Sequence, residues 1–380
     1  MSKGQRVAVV GVGYSTIGRN IGLSLEHLAA QASVSAMADA GLRPADIDGV
    51  VTHSFPDQQL RATDMGDVLG IPDLGFYSGS VDGAAYAVAA IHGIAAVASG
   101  SCHTCLTLRT VHRIGATGSS REVPAEGVGG RQQFLAPYGE FTAAQWAGMY
   151  MQRHMHEFGT TEEQFGAFVV AQRAYAALND DALHRSPLTI DDYLASRYVS
   201  RPLRLLDCDY PVDSSSALIF TTEERARDLA KKPVFFEAWA MGTTPVLDFH
   251  LLESMPRSSP WNAAERMWAM TDLRAKDVHV AGLYDGFSFI ALQWLEALGF
   301  CGLGESGPFV EAGNTGPAGI IPTNTDGGAC NVGRRHGANF FIEVTRQLRN
   351  ECGPRQVAGA EVGVVSNSVG GFAGCALLTT

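Results

Sequence analysis

Two stretches of this chain repeat one another. Pro44-Ala45-Asp46-Ile47 leads into an apolar strand, Gly49–His53, and Ala275-Lys276-Asp277 leads into another, Val278–Leu283. Asp82-Gly83-Ala84 opens a long helix of small residues, and Asp326-Gly327-Gly328-Ala329 opens a second. A strand–helix unit used twice constrains the chain to two similar βαβ-type halves packed together, with helices between or over mixed sheets. The 380 residues give room for both. The expected division is 1–231, with a cap or loop region at about 113–205, and 232–380.

Local patterning fills in the elements. Arg6–Val12 is a β-branched strand ending in Gly11-Val12-Gly13. Thr16 stands where a dinucleotide fingerprint needs its third glycine, which weakens that reading. Ser24–Gly41 has a capping serine, an apolar stripe through Leu25, Leu28, Ala29, Ala32 and Ala36, and a terminal glycine, so a helix is expected. Asp82–Gly100 predicts a buried helix, Cys102–Thr110 a strand, and Gly115–Pro137 a mobile loop or cap. Helices are expected from about Phe141 to Asn179, with His154 and His156 in surface roles. Asp213–Thr221 and Pro233–Met241 predict strands, followed by helices at Asn262–Thr271, Ser288–Leu298 and Ala329–Arg349. Strands at Val362–Asn367 and Cys375–Thr379 close the series.

Hydrophobic content of 46% with 18% charged residues describes a globular protein with a sizeable core. A net charge of −11 argues against a nucleic-acid surface, which needs clustered Lys and Arg. No apolar run reaches the roughly 18 residues of a membrane span, and no signal peptide is expected. Seven cysteines, an odd number without a disulfide-like rhythm, read as reduced thiols of a cytoplasmic protein. Cys102 and Cys105 supply only two metal ligands, and strand alternation is expected to split them between opposite faces. No metal site is expected.

Two segments concentrate the polar chemistry. The strand Val278–Leu283 delivers Tyr284-Asp285-Gly286-Phe287, and Asn324–Gly328 leads into a segment carrying Arg334, Arg335 and His336 just inside the expected helix. A strand end and a glycine-rich helix start are where α/β proteins usually keep their reactive groups.

The duplicated halves, the Ala45-Asp46-Ile47-Asp48-Gly49-Val50-Val51 pattern, the Asn324–Gly328 turn and the run Ser368-Val369-Gly370-Gly371-Phe372-Ala373-Gly374 together resemble the thiolase superfamily. The resemblance covers nearly the whole chain and is closest to the sterol-carrier or lipid-transfer-protein branch. It implies a duplicated five-layer α-β-α-β-α thiolase fold and a tight homodimer.

The departures are informative. Ser80 stands where a thiolase has its nucleophilic cysteine, and Ser368 where it has the second. Gly333-Arg334-Arg335 replaces Gly-His-Pro, and Tyr284-Asp285-Gly286-Phe287 replaces Asn-Glu-Ala-Phe. Cysteine is available as thiolate because its pKa is about 8.5, whereas serine needs an adjacent base, and only Asp82 is visible beside Ser80. The chain is similar in this to the thiolase-like aldolases of steroid side-chain degradation. Those carry a Tyr-Asp pair, cleave a β-hydroxyacyl-CoA by retro-aldol reaction, and work with an OB-fold/zinc-ribbon partner. Their second tyrosine lies in a Gly-Tyr-x-His-Gly run, which here is Gly333-Arg334-Arg335-His336-Gly337.

The resemblance implies roles for these residues. A retro-aldol step needs a base for the β-hydroxyl and donors for the enolate oxygen. Tyr284 is the candidate base, and a guanidinium within ~4–6 Å, such as Arg334, would favour its phenolate. Arg334 would serve equally as an enolate donor, His336 as a proton relay, and Asp285 as support for Tyr284 or as a cap of the next helix. Ser80, Asp82, Ser368, Gly370 and Gly371 are candidates for substrate contact or oxyanion donation. Coenzyme A enters as part of the acyl-CoA substrate, and no other cofactor is expected. Two other readings stay open: an acyl-CoA- or lipid-binding subunit without chemistry, and a subunit of an acyltransferase whose reactive cysteine lies on another chain.

Overall fold

The computed structural model describes residues 5–54, 60–80, 86–112, 133–140, 142–245 and 258–380. The first half runs β1 (Val7–Tyr14), α1 (Leu25–Ala40), β2 (Gly49–His53), α2 (Ala62–Leu69), β3 (Phe76–Ser80), α3 (Tyr86–Ser99) and β4 (Thr104–His112). A largely helical insertion follows: α4 (Ala143–Phe158), α5 (Glu162–Ala177), α6 (Ile190–Ala195) and the short strands β5 (Tyr198–Ser200) and β6 (Leu203–Arg204). Then come β7 (Asp213–Thr222) and α7 (Glu223–Ala226). The second half is β8 (Val234–Thr243), α8 (Ser259–Trp268), β9 (Val280–Gly282), α9 (Ser288–Ala297), α10 (Ser306–Glu311), α11 (Ala329–Val332), α12 (Ala338–Arg349), β10 (Val362–Val369) and β11 (Phe372–Thr379).

Nine strands form one mixed sheet in the order β3-β2-β4-β7-β1-β8-β11-β10-β9. Read outward from the β1–β8 seam, β1-β7-β4-β2 mirrors β8-β11-β10-β9. The duplication seen in the sequence is therefore a topological one. The seam is slight: only Ala8 with Phe235 and Val9 with Val234 pair across it.

Strand alternation builds the layers. Val7 and Val9 of β1 and Ala376 and Leu378 of β11 enter a central core with Tyr86 of α3 and Phe341 of α12. Ala8 and Val10 face outward onto α1 and α2, and Cys375 and Leu377 face outward onto α8 and α9. Helices thus cover both outer faces, and the pair α3/α12 fills the middle, as the five-layer expectation requires. The Tyr86 and Phe341 rings meet edge to face at 5.3 Å between centroids.

Several expectations need correction. The helix expected over Ala329–Arg349 is two helices: α11 ends at Gly333, α12 begins at Ala338, and Arg334–Gly337 turn between them. His154 is not at the surface. It is fully buried, its ring nitrogens bonded to Glu296 Oε1 (2.9 Å) and Thr160 Oγ1 (2.8 Å). Cys102 and Cys105 are not split between faces. The strand begins only at Thr104, so the chain bends before it and both thiols pack beside Gly49 in the central core. Strand β3 and helix α2 had no expectation at all. Residues 115–132 of the expected mobile loop lie outside the described residues.

Candidate active site

Parallel pairing of β9 with β10 brings Val280–Gly282 beside Gly363–Val365, so the segments that follow each strand emerge together. The Tyr284 backbone N–H donates to Ser366 Oγ (3.3 Å), and Asn367 Nδ2 donates to the His336 carbonyl (2.7 Å). The end of β10 therefore holds both segments that the sequence singled out. Gly286 makes room for the half-buried phenol: a Cβ there would lie 2.7 Å from Tyr284 Oη.

Arg334 sits in the turn between α11 and α12, and not inside a helix as expected. Its Nε and Nη2 donate to the two carboxylate oxygens of Asp209, a residue absent from the sequence-based set. Burial alone would lower the Arg334 pKa. The Asp209 carboxylate outweighs it, with a further contribution from Tyr284, and the guanidinium is held above its ordinary value. The Arg334 guanidinium is thus a charge held in place by the Asp209 carboxylate.

The segment around Asp209 laces the site together. Asp209 N–H donates to the Gly286 carbonyl (3.2 Å), Tyr210 N–H to the Ala329 carbonyl (3.1 Å), and Arg334 N–H to the Tyr210 carbonyl (2.8 Å). Two residues earlier, the buried Asp207 accepts from Tyr193 Oη (3.0 Å) and Ser288 Oγ. Burial pushes its carboxyl up to about 6 despite those donors. No periodicity or motif marks this stretch. The pair of acids flanking Cys208 just before β7 was its one visible signal.

Asp285 faces away from a role as a free base. Both its oxygens accept the Ala329 N–H (3.0 and 3.1 Å) at the start of α11, and Gln172 Nε2 donates at 2.6 Å. Burial raises its pKa to about 8, opposed by the Ala329 N–H and assisted by Asp326. The helix it caps is α11, 44 residues further along, and not α9, the next helix in the chain. Gly328 permits the contact: it has φ +74°, and a Cβ would lie 2.2 Å from Asp285 Oδ2.

His336 has φ +51° and is buried. Its Nδ1 accepts from Arg109 Nε (3.3 Å), which leaves the ring proton on Nε2. Arg109, on β4, is fully buried and also donates to the His53 carbonyl (3.2 Å). His53 pairs in register with Arg109 on one side and Ser80 on the other. A row Ser80–His53–Arg109 thus leads from the end of β3 to His336. Arg109 is the second residue that the sequence did not reveal.

Ser368 has φ +71°, and its carbonyl accepts from the buried Trp294 Nε1 (2.8 Å). Gly370 and Gly371 form the two-residue turn between β10 and β11, with carbonyls accepting from Ser259 (3.2 Å) and Thr244 (3.0 Å). Asp82 lies outside the described residues. Two thiols, Cys208 and Cys330, lie near the acids, but burial first and then the neighbouring carboxylates push both well up. Neither supplies a ready thiolate. Among the described residues no group of three His, Cys, Asp or Glu side chains is arranged to hold a metal ion.

Two mirrored strand–helix halves around a paired helix layer, with polar groups gathered where the strands end, define a thiolase-like protein. Residues 250–378 match the thiolase C-terminal domain-like family. The 17-hydroxy-3-oxo-4-pregnene-20-carboxyl-CoA lyase of Mycobacterium tuberculosis is 36% identical over 97% of this chain and 98% of its own length. A steroid side-chain-cleaving aldolase of Thermomonospora curvata is 34% identical over 90% of both chains. The solved structure of an Ltp2-ChsH2(DUF35) aldolase is similar at a TM-score of 0.91 and 31% identity, over 100% of this chain and 99% of that one. The chain belongs to the thiolase superfamily, in its branch of thiolase-fold aldolases, and is a thiolase-fold lyase.

Proposed function

We propose that this lyase cleaves a β-hydroxyacyl-CoA by a retro-aldol reaction, with Tyr284 taking the β-hydroxyl proton. The observation that carries the reading is the meeting of the Tyr284 segment and the Arg334–His336 turn at the end of β10, with Asp209 fixing the Arg334 guanidinium. A guanidinium so placed stabilises a phenolate, and it also stabilises the negative oxygen of the enolate that cleavage leaves. The neutral His336, its Nε2 carrying the proton, would relay or donate it. Ser80, Asp82, Ser368, Gly370 and Gly371 are proposed as substrate contacts. No thiol in the site is poised for acyl transfer, which favours cleavage over thiolysis.

A steroid side-chain thioester is the proposed substrate class, since the relatives' names specify steroid side chains and a pregnene carboxyl-CoA. A DUF35-type partner is proposed from the Ltp2-ChsH2 relative, in the place that the resemblance gives to an OB-fold/zinc-ribbon protein. A homodimer is proposed because β3 ends the sheet, and an edge strand invites pairing with a second copy. The odd count of seven cysteines supports a cytoplasmic setting. The halves are proposed to divide near residue 231. Among the described residues no helix is long and apolar enough to cross a membrane.

The test is product analysis by mass spectrometry with a panel of β-hydroxyacyl-CoA thioesters, with and without a DUF35 partner. Cleavage to a ketone or aldehyde and a shortened acyl-CoA is expected, and its loss in Tyr284→Phe. Unchanged cleavage by that variant would overturn Tyr284 as the base. Binding without turnover under every condition would favour the non-catalytic reading.

A further inference from the structure

His336 is held by backbone and ring alike. Its carbonyl accepts from Asn367 Nδ2 on β10 (2.7 Å) and from the Tyr86 N–H on α3 (3.4 Å), which fixes the backbone at φ +51°. The ring is gripped from β4, where Arg109 approaches Nδ1 with both Nε (3.3 Å) and Nη2 (3.1 Å). Arg109 has no freedom to turn away. It is fully buried on a strand between β2 and β7, and its Nη1 donates to the carbonyls of His53 (3.2 Å) and Thr110.

This contact limits what the imidazole can do. A guanidinium carries N–H groups only and, with a pKa above about 12, keeps them. Nδ1 is therefore an acceptor, and the ring proton sits on Nε2. A proton relay uses both nitrogens, one taking a proton as the other gives one up. A proton arriving at Nδ1 would break both bonds from Arg109 and set an imidazolium against a guanidinium. A proton leaving Nε2 would leave an imidazolate. The neutral ring can instead offer its Nε2–H as a hydrogen bond without changing charge.

We propose that Arg109 is a positioning residue that confines His336 to one task, a fixed and neutral hydrogen-bond donor to the thioester oxygen as it becomes an enolate. Of the two roles given to His336 above, relay and donor, only the second remains. The β-hydroxyl proton passes to Tyr284, and the electron pair of the broken carbon–carbon bond passes to the enolate. The α-carbon then takes its proton from Tyr284 or from water. The nature of the acceptor rests on the retro-aldol reading; the tautomer does not.

Nitrogen NMR of the full chain labelled with 15N-histidine tests the tautomer without reference to activity. The His336 resonances, identified by their loss in His336→Gln, are expected to show an unprotonated Nδ1 and a protonated Nε2. A protonated Nδ1 would overturn the proposal. Arg109→Met should release the ring into a mixture of tautomers and lower kcat at least about tenfold, with KM within about twofold. Arg109→Lys, which keeps a donor, should restore part of both. A ring still locked in the Nε2–H form in Arg109→Met would remove Arg109 from the role.

Kinetics of His336 variants separate donor from carrier, and decide the matter if Arg109→Met does not fold. His336→Ala should lower kcat about 10²–10³-fold, as loss of one oxyanion donor does. Glutamine Nε2 donates a hydrogen bond but passes no proton from one atom to another. His336→Gln should therefore regain at least about tenfold of that loss, and a kcat no better than that of His336→Ala would refute the donor role. A failure of Tyr284 as the base would show in Tyr284→Phe and leave the tautomer measurement unchanged.

Discussion

Arg334 and Asp209 are 125 residues apart in the chain and form a two-pronged, largely buried ion pair at the mouth of the site. The pair makes Arg334 a fixed charge rather than a mobile one, which is what a group meant to stabilise a developing anion requires.

Removing that fixation should cost both stability and activity. Asp209→Asn leaves Arg334 buried without its countercharge, and breaking such a pair typically costs ~3–5 kcal/mol. Urea unfolding should show a loss of that order. Arg334→Tyr, which installs the residue that the family resemblance expects at this position, should destabilise the chain similarly by stranding Asp209. The double variant Asp209→Asn/Arg334→Tyr should recover part of the loss, because neither charge is then left alone.

Gly286→Ala should separate activity from stability. The new Cβ would meet the Tyr284 hydroxyl at 2.7 Å, yet the glycine is not in the left-handed region and the phenol is only half buried. The ring is expected to swing aside at a cost of about 1–3 kcal/mol. A kcat at least tenfold lower with a small Tm change would be the signature. Gly328→Ala, by contrast, should fail as a fold, since it combines a collision with Asp285 and a backbone region reserved for glycine.

Asp285 predicts a pH dependence whose sign follows from its raised pKa. The folded state holds the carboxyl proton up to about pH 8, whereas the unfolded chain releases it near pH 3.9. Its contribution to stability is full at low pH and declines as pH rises toward 8, levelling off above that. Asp207, raised to about 6, adds the same sign over a narrower range. Denaturant unfolding of Asp285→Asn between pH 5 and 9 should show a flatter profile than the native chain. An unchanged slope would place the titration elsewhere.

His154 and Glu296 form a buried polar pair far from the proposed chemistry, and Ser306 Oγ and N–H also bond to the same Glu296 oxygen. His154→Ala should destabilise by ~3–5 kcal/mol through the orphaned carboxylate and the cavity. The KM for a cleaved thioester should stay within about twofold.

Much of the fold was legible because it rests on local rules. Ser24 accepts the His27 N–H and Gly41 ends α1 as its sequence announces, and β2, β7, α9 and the last two strands fall close to their expected spans. The internal duplication announced two similar halves, and the structure shows them as mirrored strand orders. The sequence alone misplaced elements where position depends on distant partners. Gly333 breaks a run whose apolar periodicity reads as one helix, and Cys102 leaves the strand pattern to join Cys105 beside Gly49. His154 reads as a surface residue on helical spacing, since its partner Glu296 is 142 positions away.

Local patterning along the chain was enough to read the repetition of the βαβ unit, the serines 80 and 368 where the resemblance expects cysteines, and the segments that hold Tyr284, Arg334 and His336. Side-chain periodicity and turn chemistry act over a few residues and are written in order along the chain. Only the tertiary structure decided that Asp209 holds Arg334, that Arg109 orients His336, and that Asp285 caps α11. Those assignments depend on the burial of polar groups brought together from segments 44 to 227 residues apart, and that energy exists only once the layers have closed around them.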